Sequence, residues 1–247
     1  MPDKQSRELF QLELFLPELL RNRPYTLLQP APPHPDAVIE VDGRIVGIET
    51  TVLIMNELVK QREAAQDAIL NQAQKLFEEE HQMPLHVTVD FIESANWKSL
   101  NRERVASFLA TTISQWVQKL KDIPQYQSQF DIQTDGLDHE YIQQMIVSYS
   151  SKWIMPCWSP IEGFVVPQAP TQIIQDIICR KTKNFTGYLT GCDEVWLLII
   201  ETGSPSSYYE HYNELQKVEF ESGFARTLIG RISKGELLEL RTKPHEI

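Results

Sequence analysis

Residues 37–53 read AVIEVDGRIVGIETTVL, and the reading of this stretch decides the fold. Two runs rich in Val and Ile flank Asp42-Gly43, a dipeptide that readily supplies the positive backbone angles of a tight hairpin turn. The stretch therefore predicts two antiparallel strands whose register is fixed by that turn. Asp36 and Glu49 lie equidistant from the turn, so the same register predicts two adjacent carboxylates at the open end of the hairpin. Glu49 interrupts a Val/Ile-rich strand, and a carboxylate turned inward there is rarely left without a partner. Paired carboxylates are the hard oxygen ligands that Mg²⁺ or Mn²⁺ prefers. A divalent ion held by them can polarise a phosphoryl oxygen and acidify an attacking water.

Working outward, SRELFQLELFLPELLRNR (residues 6–23) predicts an opening helix interrupted near Pro17, and the proline-dense stretch 24–35 predicts extended chain. On the other side, residues 57–80 are rich in helix formers, with Leu58, Ala65, Ile69 and Leu76 marking one buried stripe. LHVTVDFI (85–92) alternates as a strand does. Residues 101–121 read as a second long helix, with Val105, Leu109, Ile113, Trp116 and Leu120 on one side. The section 123–170 holds a strand at YIQQMIVSYS and aromatic, proline-rich stretches around Trp153, Trp158 and Pro167; it reads as an inserted β-rich region. A helix from Pro170 to Tyr188 follows, then EVWLLIIET (194–202), whose unbroken apolar run suits a strand covered on both faces. The tail reads as two short strands about Lys234-Gly235.

This order predicts an α/β fold with a central mixed β-sheet flanked by helices on both faces. The 247 residues are read as one domain, 1–247, with an insertion at about 123–170. Apolar residues make up 42% of the chain and charged residues 23%, an ordinary globular composition. No apolar run is long enough to span a membrane, and the N-terminus lacks a signal pattern, so a cytoplasmic location is expected. Cys157, Cys179 and Cys192 show no CxxC spacing, and the six histidines show no HExxH, which argues against a disulfide framework or a structural zinc site. With 23 basic against 34 acidic residues, the net charge of −11 argues against broad binding of a phosphate backbone. A nuclease needs only a few local cations and bound metal, and stays open.

Pro35-Asp36, followed by IETT at 48–51 on a predicted strand, resembles the PD…(D/E)XK signature of restriction-endonuclease-like nucleases. It is similar above all to a branch whose core strand reads G-[IV]-E-[VI]-T. The resemblance extends through IICRKTKNFTGY (177–188) and DEVWLLI (193–199) to the terminal GFARTLIGRI…GELLEL. It implies a restriction-endonuclease-like core and Mg²⁺ or Mn²⁺ as cofactor. Its implied ligands are Asp36, Glu49 and the backbone carbonyl of Thr50, with an acid of the opening helix, Glu8 or Glu18, as a further one. The chain departs from the pattern at Thr51, where the family carries a lysine that orients water and offsets charge on the phosphate. Threonine supplies no cation.

Helical arithmetic offers a replacement. At about 100° per residue, Lys181 falls about 20° from Ile174 and close to Ile177, Ile178 and Tyr188, on the inward stripe of its helix, whereas Lys183 is roughly opposite. An inward lysine is costly without an anionic partner, and a carboxylate site is one. Arg62, flanking the Leu58/Ala65 stripe, ranks second.

Plainer readings stand beside these. Asp36 after proline also suits a turn, Lys181 also suits a lysine that snorkels to water, and Tyr188 and the five tryptophans read as packing residues. Glu8, Glu18 and Glu78–Glu80 also read as solvated helix faces. Three functions follow: a metal-dependent nuclease acting on DNA or RNA, with Asp36, Glu49, Thr51 and Lys181 at its catalytic centre; a catalytically reduced binding module of the same fold; or an acidic protein whose partner is a basic protein.

Overall fold

The computed structural model describes residues 4–31, 34–121, 129–135, 139–161 and 168–244. The protein is α/β, with mixed sheets and five helices among the described residues. None of those helices is long and apolar enough to cross a membrane. The chain divides into two compact units, one formed by Met1–Glu57 with Val165–Ile247, the other by Leu58–Phe164.

The first unit is organised by the hairpin. Strands β2 (Ala37–Val41) and β3 (Arg44–Val52) pair antiparallel from Val41↔Arg44 to Ala37↔Ile48. Asp42 and Gly43 both take positive φ, 53° and 73°, as a two-residue turn matched to strand twist requires. Ahead of them, α1 (Lys4–Leu19) runs through Pro17 rather than breaking there. Leu16, Leu19 and Leu20 are fully buried around that proline, and their packing holds the last turn. The proline-dense stretch contributes a short edge strand, β1 (Thr26–Leu28), antiparallel to β2.

Strand β8 (Glu194–Glu201) lies parallel to β3 on one side and to β10 (Arg226–Arg231) on the other. Its two neighbours and its near-complete burial account for the unbroken apolar run. Strand β11 (Glu236–Glu239) returns antiparallel to β10 about Gly235, giving the six-stranded order β1-β2-β3-β8-β10-β11. Alternate residues of β3 and β8 enter two separate cores. Val46, Ile48, Trp196, Leu198 and Ile200 pack with Leu12, Phe15 and Leu16 of α1. Val195, Leu197 and Ile199 pack with Ile174, Ile177 and Ile178 of α4 (Thr171–Thr182). At the ends of the parallel strands, the buried Arg231 guanidinium donates from Nε to Glu201 at 2.9 Å and from Nη2 to the Tyr209 carbonyl at 3.0 Å. Strands β9 (Glu219–Ser222) and β12 (Arg241–Pro244) form a separate parallel pair that the sequence reading does not anticipate.

The expected helix from Pro170 to Tyr188 is two: α4 stops at Thr182, and a single turn, α5 (Phe185–Tyr188), follows. The Thr182 hydroxyl donates back to the Ile178 carbonyl at 2.9 Å, and the chain turns at Asn184, whose N–H bonds Lys181 O rather than continuing the ladder.

The second unit contains α2 (Glu57–Glu80, apart from its first residue), β4 (His86–Phe91) and α3 (Arg102–Lys121). Strands β5 (Gln129–Asp135), β6 (Ile142–Ser150) and β7 (Cys157–Pro160) join β4 in a four-stranded sheet ordered β5-β6-β4-β7. The element order assigns β4 to the central sheet; it pairs instead with strands of the segment expected as an insertion. Alternation identifies a half-buried strand but not its partner. The Leu58–Phe164 unit holds α2, β4 and α3 together with most of the segment expected as an insertion. Residues 122–128, 136–138 and 162–167 of the expected insertion, Pro167 included, lie outside the described residues. The stripe on α2 is also shifted: Ala65 and Ile69 are buried together with Leu70, Ala73 and Phe77, but Leu58 is 67% exposed.

Candidate functional site

Four elements of the first unit bring the predicted residues together. The hairpin register ends at Ala37↔Ile48, and the next step outward sets Asp36 beside Glu49. Asp36 is fixed by the backbone of the opposite strand. Its Oδ2 accepts from the Thr50 N–H at 2.8 Å and from the Thr50 hydroxyl at 2.9 Å. Close approach of the preceding residue requires glycine across the hairpin. A Cβ on Gly47 would stand 2.8 Å from Pro35 Cγ and 3.1 Å from Cys192 Sγ.

Glu49 is 4% exposed and points to the α4 side of the sheet. Lys181, on the inward stripe that carries Ile174, Ile177 and Ile178, meets it there. Its Nζ donates to Glu49 Oε1 at 2.5 Å and to the Thr50 carbonyl at 3.1 Å. Thr51, two residues after Glu49 on the same face, is half-buried. Lys183 is exposed, as the helical arithmetic requires.

Tyr188 was legible only as a packing residue. It does pack in the α4-side core, its hydroxyl receives Asn184 Nδ2 at 3.4 Å, and it lies close enough to the Glu49 carboxylate to influence its protonation. The expected continuous helix would have set it seven residues beyond Lys181 on one stripe, but the structure brings it there on the separate turn α5. Burial and the two neighbouring carboxylates push the Tyr188 phenol up to about 12, so it remains a protonated donor at neutral pH.

The electrostatics of Glu49 are set by opposing effects. Burial raises its pKa above the usual carboxylate range, the Lys181 hydrogen bond pulls it back, and the charge of Asp36 pushes it up again. The net direction is upward.

Other predicted residues are elsewhere. Arg62 belongs to the Leu58–Phe164 unit, where its Nη1 pairs with Glu93 at 2.7 Å. Glu8 and Glu18 belong to α1, whose core lies on the face of the sheet opposite α4; Glu18 is exposed and Glu8 half-buried.

The donor set suits a hard divalent cation: two carboxylates and a peptide carbonyl, with the Lys181 ammonium resting on two of those three groups. Among the described residues there is no cluster of three or more His, Cys, Asp or Glu that could hold a metal. A cation here would therefore rely on one peptide oxygen and on water to complete its shell, as Mg²⁺ commonly does. Comparison of the chain with family models, with curated proteins and with solved structures gives no match.

Proposed function

We propose that the chain is a divalent-metal-dependent phosphodiesterase acting on DNA or RNA, with a PD-(D/E)XK-type, restriction-endonuclease-like core. The observation that carries this reading is the arrival of Lys181 from α4 at Glu49 and the Thr50 carbonyl. It supplies through space the positive charge that Thr51 does not supply along the chain.

In this reading Asp36, Glu49 and the Thr50 carbonyl hold Mg²⁺ or Mn²⁺. Such an ion, when bound, polarises a phosphoryl oxygen and acidifies a water. The protein's own groups do the rest. Thr50 fixes the orientation of Asp36 through two hydrogen bonds. Lys181 fixes Glu49, with Tyr188 beside it. Lys181 contacts two of the three ligand groups, so it must yield them to an ion; it then stands beside the site as a cation able to offset charge on a phosphate.

The same contact favours a second reading. A lysine that satisfies Glu49 on its own makes a metal unnecessary, as in a nuclease fold reduced to a binding module. Cleavage separates the two. Plasmid, single-stranded DNA and RNA are incubated with Mn²⁺ and the wild-type protein or Asp36→Ala. The nuclease reading expects cleavage of at least one substrate by the wild type and none by Asp36→Ala. No cleavage of any substrate by the wild type supports the reduced module.

A further inference from the structure

The Leu58–Phe164 unit carries an open groove of about 630 Å³, built from the first turns of α2, the segment after β4 and the first residue of α3. Its volume is within the range of small-ligand sites. Three cations line it, Arg62, Lys98 and Arg102, against one carboxylate, Glu93, which is paired with Arg62. This local excess of positive charge stands out in a chain of net charge −11. The groove is also apolar and aromatic. Leu58 is 67% exposed and lines it, and so does Trp97. The Trp97 ring is held edge-on against Phe91 and Tyr141, at 5.7 and 5.9 Å between centroids, so it is fixed in place. Its Nε1–H is buried and has no acceptor among the described residues.

Guanidinium forks and an ammonium suit phosphate oxygens, and an indole beside an exposed leucine suits the flat face of a base. We infer that this groove binds a phosphate-bearing nucleotide, as a unit of single-stranded nucleic acid or as a free mononucleotide. The inference deepens the nuclease reading by naming where the substrate class is gripped. The groove needs no metal, so its failure and that of the Asp36/Glu49 site can be told apart.

The test is metal-free binding in EDTA. Fluorescently labelled oligo-dT and oligo-U are titrated with the full chain and followed by anisotropy, with unlabelled AMP and UMP as competitors. Lys98 and Arg102 are exposed, so Lys98→Ala, Arg102→Ala and the double variant spare the core. The wild type is expected to bind, with each single variant weaker by about 3- to 10-fold and a shallower salt dependence. Competition by mononucleotide at concentrations similar to oligonucleotide assigns the groove to a single nucleotide, and its absence assigns it to the strand. No binding of either ligand, or equal binding by the double variant, overturns the inference.

Discussion

The Lys181 ammonium on α4 lies 2.5 Å from the Glu49 carboxylate on β3, across a separation of 132 residues in the chain. Both side chains are withdrawn from solvent, at 20% and 5% exposure. Neither residue belongs to the local pattern of the other. Their meeting depends on β8, which lies parallel to β3 and beneath α4. Each offsets part of the other's burial cost, and each becomes a liability when the other is removed.

Lys181→Met is therefore expected to destabilise the protein by about 3 kcal/mol at pH 7, because it leaves Glu49 buried without its cation. The loss shrinks at lower pH as Glu49 takes up a proton instead. Lys181→Met combined with Glu49→Gln recovers most of the stability, and urea unfolding of the three variants measures all of this. A loss below about 0.5 kcal/mol for the single variant shows that the pair carries no weight. On the proposed function, Lys181→Met also abolishes cleavage while retaining Mn²⁺ binding.

The raised pKa of Glu49 fixes a pH dependence of definite sign. Between the ordinary carboxylate pKa of 4.5 and its elevated folded value, the native state holds a proton that the unfolded state has released. In that window stability falls as pH rises. The contribution of Glu49 is thus most favourable under acid conditions and declines as pH passes through the folded value. Glu49→Gln removes this decline, so its stability relative to wild type improves between pH 4 and pH 7 in urea unfolding. A relative stability that worsens over that range shows that the folded pKa is depressed instead.

The hairpin and the inward stripe of α4 were legible because both are local. Asp42-Gly43 fixes its own register, and helical spacing alone places Lys181 with Ile174, Ile177 and Ile178. The continuous apolar run of β8 carried its own evidence of burial on both faces. What the sequence hid is non-local. The alternation of β4 marks a strand equally well in either sheet, and β9 pairs with β12 from far along the chain. The hydroxyl of Tyr188 was hidden for another reason: an aromatic on a buried stripe gives no sign of which acceptor its oxygen reaches.

Gly47 links the fold to the site. A methyl group there meets Pro35 at 2.8 Å, and Pro35 directly precedes Asp36. Gly47→Ala is expected to cost about 1–3 kcal/mol through overpacking. On the proposed function it also weakens Mn²⁺ binding, because the displaced proline carries Asp36 with it. Thermal unfolding together with metal titration checks both effects. Full metal affinity in a destabilised Gly47→Ala would show that Asp36 is held by Thr50 alone.

The central claim is that Asp36, Glu49 and the Thr50 carbonyl grip one divalent ion. Calorimetric titration of Mn²⁺ into the wild type and into Glu49→Gln tests it most directly. The account predicts one site in the wild type and an affinity at least about tenfold lower in Glu49→Gln, since loss of a direct ligand should cost no less than loss of its support. No heat of binding in the wild type, or equal affinity in the two proteins, contradicts it.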